Sequence, residues 1–402
     1  MPKSDFRYIV IGLGGLGSAT AYWLSRSEGA EVLGLEQFAP GHAKGESEDR
    51  SRIIRLTYHT EAYIRYAQDA YKTWALLEED AKEDLVVKCG EVNFWPEATT
   101  LDEAAFDRSM SACGVPFERL DDVQSARRFP QFRFTDRIHS VYQPDGGFVL
   151  ADRANAAHRR LAVRNGATLL GDMPVTGIEP RRGGYRVTAG ERHFDCEKLV
   201  LAAGPWTNRL LAHLGHRLPM RVTQEQVSYF NAPRIAEFAP GRLPVWIWMI
   251  LDNFYGFPAY GDRGIKVAKD RFFRVDPDGR SFDPDAGNEE AVRAFVATHL
   301  PGALGPVQLT KTCIMSHTPD GDFVLDTVPG HPGCACVLGA NHAFKFASVI
   351  GRTLAQLVRD GRTPHDISAF AMDRETLRAG DGAPFGIDGF AEHAPARADV
   401  KY

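Results

Sequence analysis

Three glycines near the start of the chain have a spacing that could hold a phosphate group. Gly12, Gly14 and Gly17 follow a short run of apolar, β-prone residues, and residues 18–27 have the pattern of a helix. Such glycines permit a tight turn, let the backbone approach a pyrophosphate and let the helix pack closely on the strand, while the helix N-terminus supplies free N–H groups. Glu36 stands nineteen residues after Gly17, where a carboxylate can accept hydrogen bonds from both hydroxyls of a ribose. The segment therefore predicts a dinucleotide-binding site.

The acidic side chain at position 36 bears on which dinucleotide is bound. A carboxylate there disfavours a 2′-phosphate, which argues against NADP. The glycine motif by itself does not distinguish FAD from NAD, so an NAD-dependent dehydrogenase stays open as an alternative. Three later segments favour FAD: the polar stretch 41–55, a buried strand that runs into Ala202-Ala203-Gly204, and a late strand, turn and helix beginning at Cys336. The last could direct a second helix N-terminus at a flavin ring, where negative charge develops on reduction.

The length and composition limit the class of protein that has to position these groups. A chain of 402 residues is too long for one simple hydrophobic core, so we expect two closely joined domains. The net charge of -5 argues against a nucleic-acid or anionic-membrane partner, and no apolar run approaches membrane-spanning length. The six cysteines form no C-x-x-C pair, so we expect no disulfide framework and no metal site. We predict a reduced, cytoplasmic enzyme.

Several short motifs, in the order in which they occur, give the chain a resemblance to a known family. From about Phe6 to about Arg378 it resembles the D-amino-acid-oxidase (DAO) superfamily of FAD enzymes. Within that superfamily it is most similar to the monomeric sarcosine oxidase branch, with N-methyltryptophan oxidase, pipecolate oxidase and the fructosyl-amino-acid oxidases as neighbouring branches. The motifs that carry the resemblance are Arg52-Ile53-Ile54-Arg55, Tyr255-Gly256-Phe257-Pro258, Gly264-Ile265-Lys266, Lys311-Thr312-Cys313, Thr318-Pro319-Asp320, Phe344-Lys345-Phe346 and Asp366-Ile367-Ser368.

The resemblance implies a fold and a division of the chain. The fold class is α/β (α+β), in which a Rossmann-type FAD-binding domain is interleaved with a substrate domain built on a mostly antiparallel β-sheet. We expect the discontinuous FAD-binding domain to comprise residues 1–85, 145–215 and 315–378, and the substrate domain to comprise residues 86–144 and 216–314. Residues 379–402, rich in Gly, Ala, Pro and charge, are expected to form a loosely ordered C-terminal tail.

The resemblance also implies a reaction. It is the FAD-dependent oxidation of the C–N bond of a secondary amino acid, N-methyl or cyclic, to an imine that hydrolyses in water. O2 then reoxidises the flavin and becomes H2O2. The implied partners are therefore a small amino-acid-like amine and O2. The protein is expected to be a monomer or a small homo-oligomer. Because hydride leaves the carbon next to a neutral nitrogen, no side chain has to act as a strong base.

The match to the family assigns a set of cofactor-binding residues. Cys313 matches the cysteine that holds FAD covalently through a thioether, and a thiolate there, which Lys311 could favour, would attack the 8-methyl carbon of the ring. The alternative is a buried structural cysteine, the commonest state of a free thiol. The other positions assigned to cofactor binding are Gly12, Gly14, Gly15, Leu16, Gly17, Glu36, Ser51, Arg52, Val175, Ala203, Gly204, Trp206, Met315, Gly339, His342, Ala343, Phe344 and Lys345.

Charged and polar residues from distant parts of the chain match the catalytic and substrate sites of the family. Lys266 matches the lysine near the flavin that activates O2, where a cation stabilises developing negative charge. Arg55 and Lys345 match the pair that binds the substrate carboxylate, the arginine as a planar two-point clamp and the lysine as a point charge. Tyr255 and His342 match residues that line the pocket, and His342 could orient the amine or relay a proton. Each of these side chains is, on sequence alone, equally compatible with an ordinary surface or packing contact.

Two positions depart from sarcosine oxidase, and one strand adds aromatic residues. Asp270 stands where that enzyme has a histidine, and an acid there would prefer a cationic or polyhydroxyl substrate. Met315 stands where it has a tyrosine, and a flexible apolar side chain would widen or reshape the pocket. Trp246 and Trp248 are two residues apart, so they share one face of a strand. We include Trp246 among the substrate-binding residues, although packing in the core explains the pair at least as well.

These departures keep two alternatives open. One is a fructosyl-amino-acid (deglycating) oxidase or a tailoring oxidase of an aromatic imino acid, which substrate profiling would separate from the first hypothesis. The other is a non-catalytic FAD-binding scaffold subunit of a larger complex. The presence of Cys313, Lys266, Arg55 and Lys345 together argues against the scaffold, because charges kept in a desolvated pocket are costly.

Overall fold

Strands and helices alternate in the first part of the chain, and longer strands dominate its second half. The computed structural model describes residues 3–47, 49–250, 253–339 and 342–378, without the side chains of residues 271 and 272. The strands are β1 (Asp5–Ile11), β2 (Val32–Leu35), β3 (Ser51–Ile54), β4 (Val86–Lys88), β5 (Glu91–Pro96), β6 (Glu118–Leu120), β7 (Ile138–Gln143), β8 (Gly147–Leu150), β9 (Thr168–Leu170), β10 (Val175–Arg181), β11 (Gly184–Ala189), β12 (Arg192–Leu201), β13 (Arg221–Phe230), β14 (Val245–Trp248), β15 (Phe254–Phe257), β16 (Ile265–Arg274), β17 (Val307–His317), β18 (Val324–Thr327) and β19 (Cys334–Leu338). The helices are α1 (Gly15–Glu28), α2 (Glu61–Ala81), α3 (Glu103–Ala112), α4 (Asp122–Arg128), α5 (Ala151–Arg164), α6 (Thr207–Ala212), α7 (Ala286–His299), α8 (Ala347–Asp360) and α9 (Glu375–Arg378). The tail predicted for residues 379–402 lies outside the described residues.

The first sheet is built around β1, the strand that precedes the glycine turn. β1 lies between β12 and β2, and β9 extends β2, all in parallel. β12 also pairs with β19 in parallel, and the antiparallel pairs β10–β11, β11–β12 and β18–β19 complete the sheet. Ile9 and Val10 are both fully buried although they point to opposite faces, as expected of a parallel strand covered on both sides. The predicted Rossmann-type unit is confirmed.

The second sheet is large and mostly antiparallel. Its strand order is β17-β13-β16-β15-β14-β5-β7-β6, and of the neighbouring strands in the described part of this sheet only β14 and β5 run in parallel. These strands come from residues 91–143 and 221–317, so the chain leaves the first sheet twice and returns twice. The interleaved fold class is therefore confirmed, while the residue boundaries given above stay a prediction.

A small third sheet joins the two larger ones at the place where the polar stretch 41–55 ends. It has the order β3-β8-β4, and Arg52 pairs with Val149 in its antiparallel ladder. β3 thereby places Arg52 in this third sheet, and Arg55 follows directly after the strand. No helix in the described part of the chain is long and apolar enough to cross a membrane.

Candidate active site

The glycine turn between β1 and α1 has the geometry that its residue types predict. Gly12 has a φ of +93°, and a Cβ there would lie 2.3 Å from the carbonyl oxygen of Ala202 on the neighbouring strand end. A Cβ at Gly17 would lie 1.8 Å from the carbonyl oxygen of Gly12, so only glycine lets the helix approach the turn. The amide of Gly15, at the N-terminus of α1, donates to Ser47 Oγ at 2.7 Å. A cavity passes along this turn at the N-terminus of α1, where a helix favours a phosphate group.

Glu36, the acid at the end of β2, is held in place by the turn itself. Its Oε2 accepts from the amide of Leu13 at 2.8 Å and its Oε1 accepts from the amide of Phe38 at 3.2 Å, while Nε2 of His42 lies 3.4 Å from Oε1. Burial raises the pKa of Glu36, but these hydrogen bonds outweigh burial and leave the pKa below its usual value. An ionised, fixed acceptor at this point suits the hydroxyls of a ribose.

A cavity of about 360 Å³ runs along the glycine turn from Glu36 towards the end of the polar loop. Ser51 instead lines a smaller cavity of about 180 Å³. Three further positions, Gly17, Gly339 and Ala343, do not line the cavities described for this chain. The predicted cofactor-binding residues that line the large cavity are Gly12, Gly14, Gly15, Leu16, Glu36, Val175, Ala203, Gly204 and Trp206.

The same cavity has polar wall residues that sequence reasoning did not single out. Ser47, whose carbonyl oxygen accepts from the Asn155 side-chain amide at 3.0 Å, lines it together with Arg159 of α5 and Asp49. Arginine and asparagine on an amphipathic helix are ordinary surface residues by pattern, so no local signal marks Asn155 or Arg159. The excess of polar residues in the stretch 41–55 was the only available sign of Ser47 and Asp49.

A second cavity, of about 110 Å³, gathers residues from widely separated parts of the chain. It draws on β3, on β15 and β16 of the second sheet, on β17 and on the turn before α8. The predicted residues that line it are Arg52, Arg55, Tyr255, Lys266, Asp270, Cys313, Met315, His342, Phe344 and Lys345. The fold thus brings together every residue predicted for catalysis or substrate binding except Trp246.

Arg55 and Lys345 converge on one aromatic ring at the edge of this cavity. The guanidinium carbon of Arg55 lies 4.9 Å, and Nζ of Lys345 5.7 Å, from the ring centre of Tyr58. Nε and Nη1 of Arg55 are buried and make no hydrogen bond to any residue that the structure describes. Buried guanidinium nitrogens that make no hydrogen bond are costly, so the pair is suited to receive an anionic oxygen ligand.

Glu91 lies beneath Arg55 and was missed by the sequence analysis. It is fully buried on β5, its Oε2 accepts from Thr57 Oγ1 at 2.9 Å, and its Oε1 lies 3.8 Å from Nη1 of Arg55. Burial raises the pKa of Glu91 to about 7, although Arg55 opposes that shift. The one sequence signal was a charge inside a strand, residues 91–96, that is otherwise mostly apolar.

Lys266 lies on β16 at a wall that the second cavity shares with the third. The lysine is 2% exposed, and its Nζ lies 4.4 Å from the ring centre of Phe257. It donates hydrogen bonds to the carboxylate of Asp49 and, at 3.0 Å, to the carbonyl oxygen of Ser51. A cation is therefore fixed where two cavities meet, rather than pointing to solvent from a strand edge.

Cys313 lies on β17 with its thiol buried in the second cavity. Burial raises the pKa of this thiol to about 11, and Arg52 and Lys266 lower it. The sequence analysis pointed to Lys311 as the cation that favours a thiolate, but these two side chains from other strands act on the sulfur. Burial, together with the charges of Glu225 and Asp49, outweighs the two cations, so the thiol is protonated at neutral pH and would have to lose its proton before it attacks.

His342 and Tyr255 both line the second cavity. Nε2 of His342 lies 3.1 Å from the carbonyl oxygen of Gly321 and 3.5 Å from the hydroxyl of Tyr63, which in turn donates to Asp322 at 2.7 Å. Burial raises the pKa of Tyr255 well above its usual value, and the charge of Asp270 adds to that effect. Tyr255 is therefore a neutral hydrogen-bonding group at neutral pH.

Trp246 does not line either cavity, which corrects the prediction that it binds substrate. Its ring stacks on Phe295 at 5.7 Å and meets Phe132 edge-on at 5.4 Å, and the residue is fully buried. Side chains alternate across a strand, and here Ile247 faces the second cavity while Trp246 and Trp248 face an aromatic core on the other side. Both tryptophans are therefore packing residues of this core.

One family of flavoenzymes matches most of this chain. Residues 7–357 match the DAO family, described as FAD dependent oxidoreductase, and the chain belongs to this family. The resemblance predicted from the sequence is thereby confirmed, and FAD is the cofactor that the family uses.

Individual relatives cover nearly the whole chain. Monomeric sarcosine oxidase of Streptomyces avermitilis is 35% identical over 376 residues, which are 90% of this chain and 96% of the relative. N-methyl-L-tryptophan oxidase of Yersinia pestis is 30% identical over 378 residues, which are 92% of this chain and 99% of the relative. Among solved structures, NikD, an unusual amino acid oxidase essential for nikkomycin biosynthesis, matches with a TM-score of 0.82 at 27% identity and covers 92% of this chain and 98% of that one.

Proposed function

We propose that the protein is an FAD-dependent oxidase of secondary amino acids, N-methyl or cyclic, that forms an imine and H2O2. The observation that carries the proposal is the single cavity that joins Arg55 and Lys345 to Lys266 and Cys313. The relatives named for sarcosine and N-methyl-L-tryptophan support the substrate class. A carboxylate clamp facing a cation beside the flavin site matches what that reaction requires.

The residues present fit FAD. The N-terminal amides of α1 would face its pyrophosphate, Glu36 would accept from a ribose, and Arg52 with Lys266 would lie beside the ring. When bound, the flavin supplies the acceptor for a hydride from the carbon next to the amine nitrogen. The cavity of about 360 Å³ lined by the glycine turn is the place for the adenosine and pyrophosphate parts.

The chain's own residues bind and orient the substrate. Arg55 offers two buried nitrogens that make no hydrogen bond to the described residues, and Lys345 adds a second positive charge at the same ring of Tyr58. His342 lines the same cavity, where its imidazole can accept a proton from the ammonium form of the amine and leave the reactive neutral form. Three apolar side chains line the second cavity and exclude water from the space where the substrate would bind: Ile247, Met249 and Phe257.

The substrate class is tested by anaerobic reduction of the flavin. Purified protein is mixed without O2 with sarcosine, N-methyl aromatic amino acids, pipecolate, proline, fructosyl-glycine and simple D-amino acids, and the flavin absorbance is followed. We expect an N-methyl or cyclic amino acid to bleach the flavin and air to restore it. A yellow protein that none of these amines bleaches would refute the proposal and favour the scaffold subunit.

Asp270 is the observation that keeps a deglycating oxidase as the second candidate. Its carboxyl lies in the wall of the second cavity and is 8% exposed. A carboxylate at that point can accept hydrogen bonds from the hydroxyls of a sugar or pair with a cationic side chain. Faster bleaching by fructosyl-glycine than by sarcosine or pipecolate would decide for this candidate.

Glu91 predicts that affinity for carboxylate ligands depends on pH. Because its pKa is raised to about 7 by burial, Glu91 is neutral below that pH and becomes an anion above it, where it competes with the ligand for Arg55. We expect the Kd of acetate, read from the flavin absorbance, to rise about tenfold between about pH 6 and about pH 8, which corresponds to about 1.4 kcal/mol. Glu91→Gln should remove this rise, and an equal rise in both proteins would contradict the assignment.

Cys313 predicts covalent attachment of the flavin. Because a thioether needs the sulfur, acid-precipitated protein should stay yellow, whereas Cys313→Ala should release its flavin into the supernatant. Cys89→Ala, which changes a half-buried cysteine outside the cavities, is the matched control and should keep its flavin. Release of all flavin from the unaltered protein would show that Cys313 is not an attachment site.

A further inference from the structure

Asp49 has a backbone conformation that residues with a Cβ rarely adopt. It lies in the polar loop that leads to β3, its φ angle is 114°, and it is 7% exposed. A positive φ at a buried residue other than glycine is sterically unfavourable and persists only where the surroundings fix it. Such positions concentrate at functional sites.

Both carboxylate oxygens of Asp49 are hydrogen-bonded. Oδ1 accepts from the hydroxyl of Tyr229 at 2.6 Å, and Oδ2 accepts from Nζ of Lys266 and from Nη1 of Arg52, the latter at 3.4 Å. Tyr229 and Lys266 are opposite one another on β13 and β16, so one rigid sheet presents both donors. Nζ of Lys266 also donates to the carbonyl oxygen of Ser51 at 3.0 Å. The loop and the sheet therefore fix the lysine from two sides.

The Asp49 carboxylate opposes two effects that would discharge Lys266. Burial lowers the pKa of Lys266 and the charge of Arg52 lowers it further, whereas Asp49 raises it. Burial acts on Asp49 as well, but the charges of Lys266 and Arg52 outweigh burial and hold the pKa of that carboxyl well below its usual range. Asp49 is thus an anion throughout the neutral range.

We infer that Asp49 is a positioning residue for Lys266, whose ammonium group it fixes at the cavity wall and keeps charged. The inference deepens the proposed oxidase function and rests on it, because the charge of Lys266 has a catalytic role only if the enzyme reduces O2. In that step O2 takes two electrons from the reduced cofactor and two protons and becomes H2O2. A cation held beside O2 stabilises the negative charge that O2 acquires first.

The groups that face Lys266 come from several elements. Asp49 reaches it from the loop, Arg52 from β3, Cys313 from β17 and Tyr229 from β13. Burial raises the pKa of Tyr229 far above neutrality, so its hydroxyl stays protonated, and Cys313 has no ionisable thiol once a thioether has formed. Asp49 is therefore the anion that balances Arg52 at this position.

Asp49→Asn removes the charge with little change of shape. The reduced enzyme, prepared with one equivalent of dithionite, is mixed with air at a series of pH values. We expect reoxidation of the unaltered protein to slow only at high pH, when Lys266 loses its proton, and that step to move about one to three pH units lower in the variant. Lys266→Met should abolish the step in both backgrounds.

A second readout does not involve turnover. Sulfite adds to the oxidised flavin as an anion and bleaches it, so its affinity reports the positive charge near the ring. In Asp49→Asn the affinity should fall at the same lower pH as the reoxidation rate, whereas the titration of sulfite itself is common to both proteins. Asp262→Asn, which alters an exposed carboxylate paired with Arg50, is the control and should leave both profiles unchanged.

Asp49→Gly makes the test independent of the unusual backbone. Glycine adopts a positive φ without steric cost, so this variant should fold and should show the same shift of both pH profiles. A step that stays at its original pH in both variants, or faster reoxidation by the variants at every pH, would overturn the inference. If no amine reduces the flavin, the proposed function fails instead, and the dithionite and sulfite measurements still decide the role of Asp49.

Discussion

Lys266→Met is expected to slow the reoxidation of reduced flavin by O2 about 10²- to 10³-fold, the range typical for removal of one preorganised electrostatic group. The lysine is nearly inaccessible to solvent and lies between two cavities. Solvent water therefore cannot compensate for the loss of its charge. Methionine keeps the length and the apolar stem of the side chain. Stopped-flow absorbance after mixing the reduced enzyme with O2 measures the rate.

The matched control for this prediction is Lys269→Met. Lys269 lies three residues further along β16, so its side chain points to the opposite face of the sheet, where its Nζ lies 5.8 Å from the ring centre of Phe254. This variant should reoxidise at the original rate. Reduction of the flavin by the amine in the absence of O2 should change little in either variant. Equal rates of reoxidation for Lys266→Met and Lys269→Met would show that Lys266 does not activate O2.

Arg55→Met is expected to lower kcat/KM for carboxylate-bearing amines by about 10²- to 10³-fold, because loss of one buried partner of a charge pair costs about 2–5 kcal/mol. The effect should depend on the substrate. An amine that carries an amide in place of the carboxylate should lose far less, since it has no charge for Arg55 to bind. The ratio of kcat/KM for acid and amide, measured in both proteins, gives the result.

Two features make this variant interpretable. Glu91 loses its counter-charge, but its raised pKa, about 7, lets it take up a proton, so the folded protein is not left with an isolated buried anion. Arg65→Met, which changes an exposed arginine paired with Glu61 on α2, is the control and should leave the ratio unchanged. The same loss for acid and amide would show that Arg55 acts on the fold of the cavity and not on the carboxylate.

The cofactor end of the fold was predictable because its signal is local. The glycine spacing, the strand before it and the acid after it occupy a short stretch around residues 5–36, and each feature has its own steric or electrostatic reason. The second cavity was predictable only through resemblance to a family. Arg55, Lys266 and Lys345 are far apart in sequence, and nothing in composition or periodicity indicates that β3, β16 and the turn before α8 converge.

What sequence reasoning missed depends on tertiary contacts. Trp246 was assigned to the pocket because a strand has two faces and the pattern does not say which face packs on the aromatic core. Glu91 and Asp49 escaped notice because a lone acid becomes informative only when its neighbours are known. Asp49 in particular is recognised by its contacts with Tyr229 and Lys266 across the sheet. Its positive φ angle could not be predicted either, because among residue types only glycine indicates such a conformation in a sequence.

The pairing of β1 has a consequence for how the chain is made. Ile9 pairs with Leu33 of β2 on one side and with Leu199 of β12 on the other, so the central strand of the first sheet finds one partner early and the other late during synthesis. Until β12 is made, one edge of this apolar strand presents unpaired N–H and C=O groups on a growing chain, which is a setting for aggregation. Non-local pairing of this kind also folds slowly. Yields in a foreign host should therefore depend on chaperone supply and on low growth temperature more than on the stability of the finished enzyme.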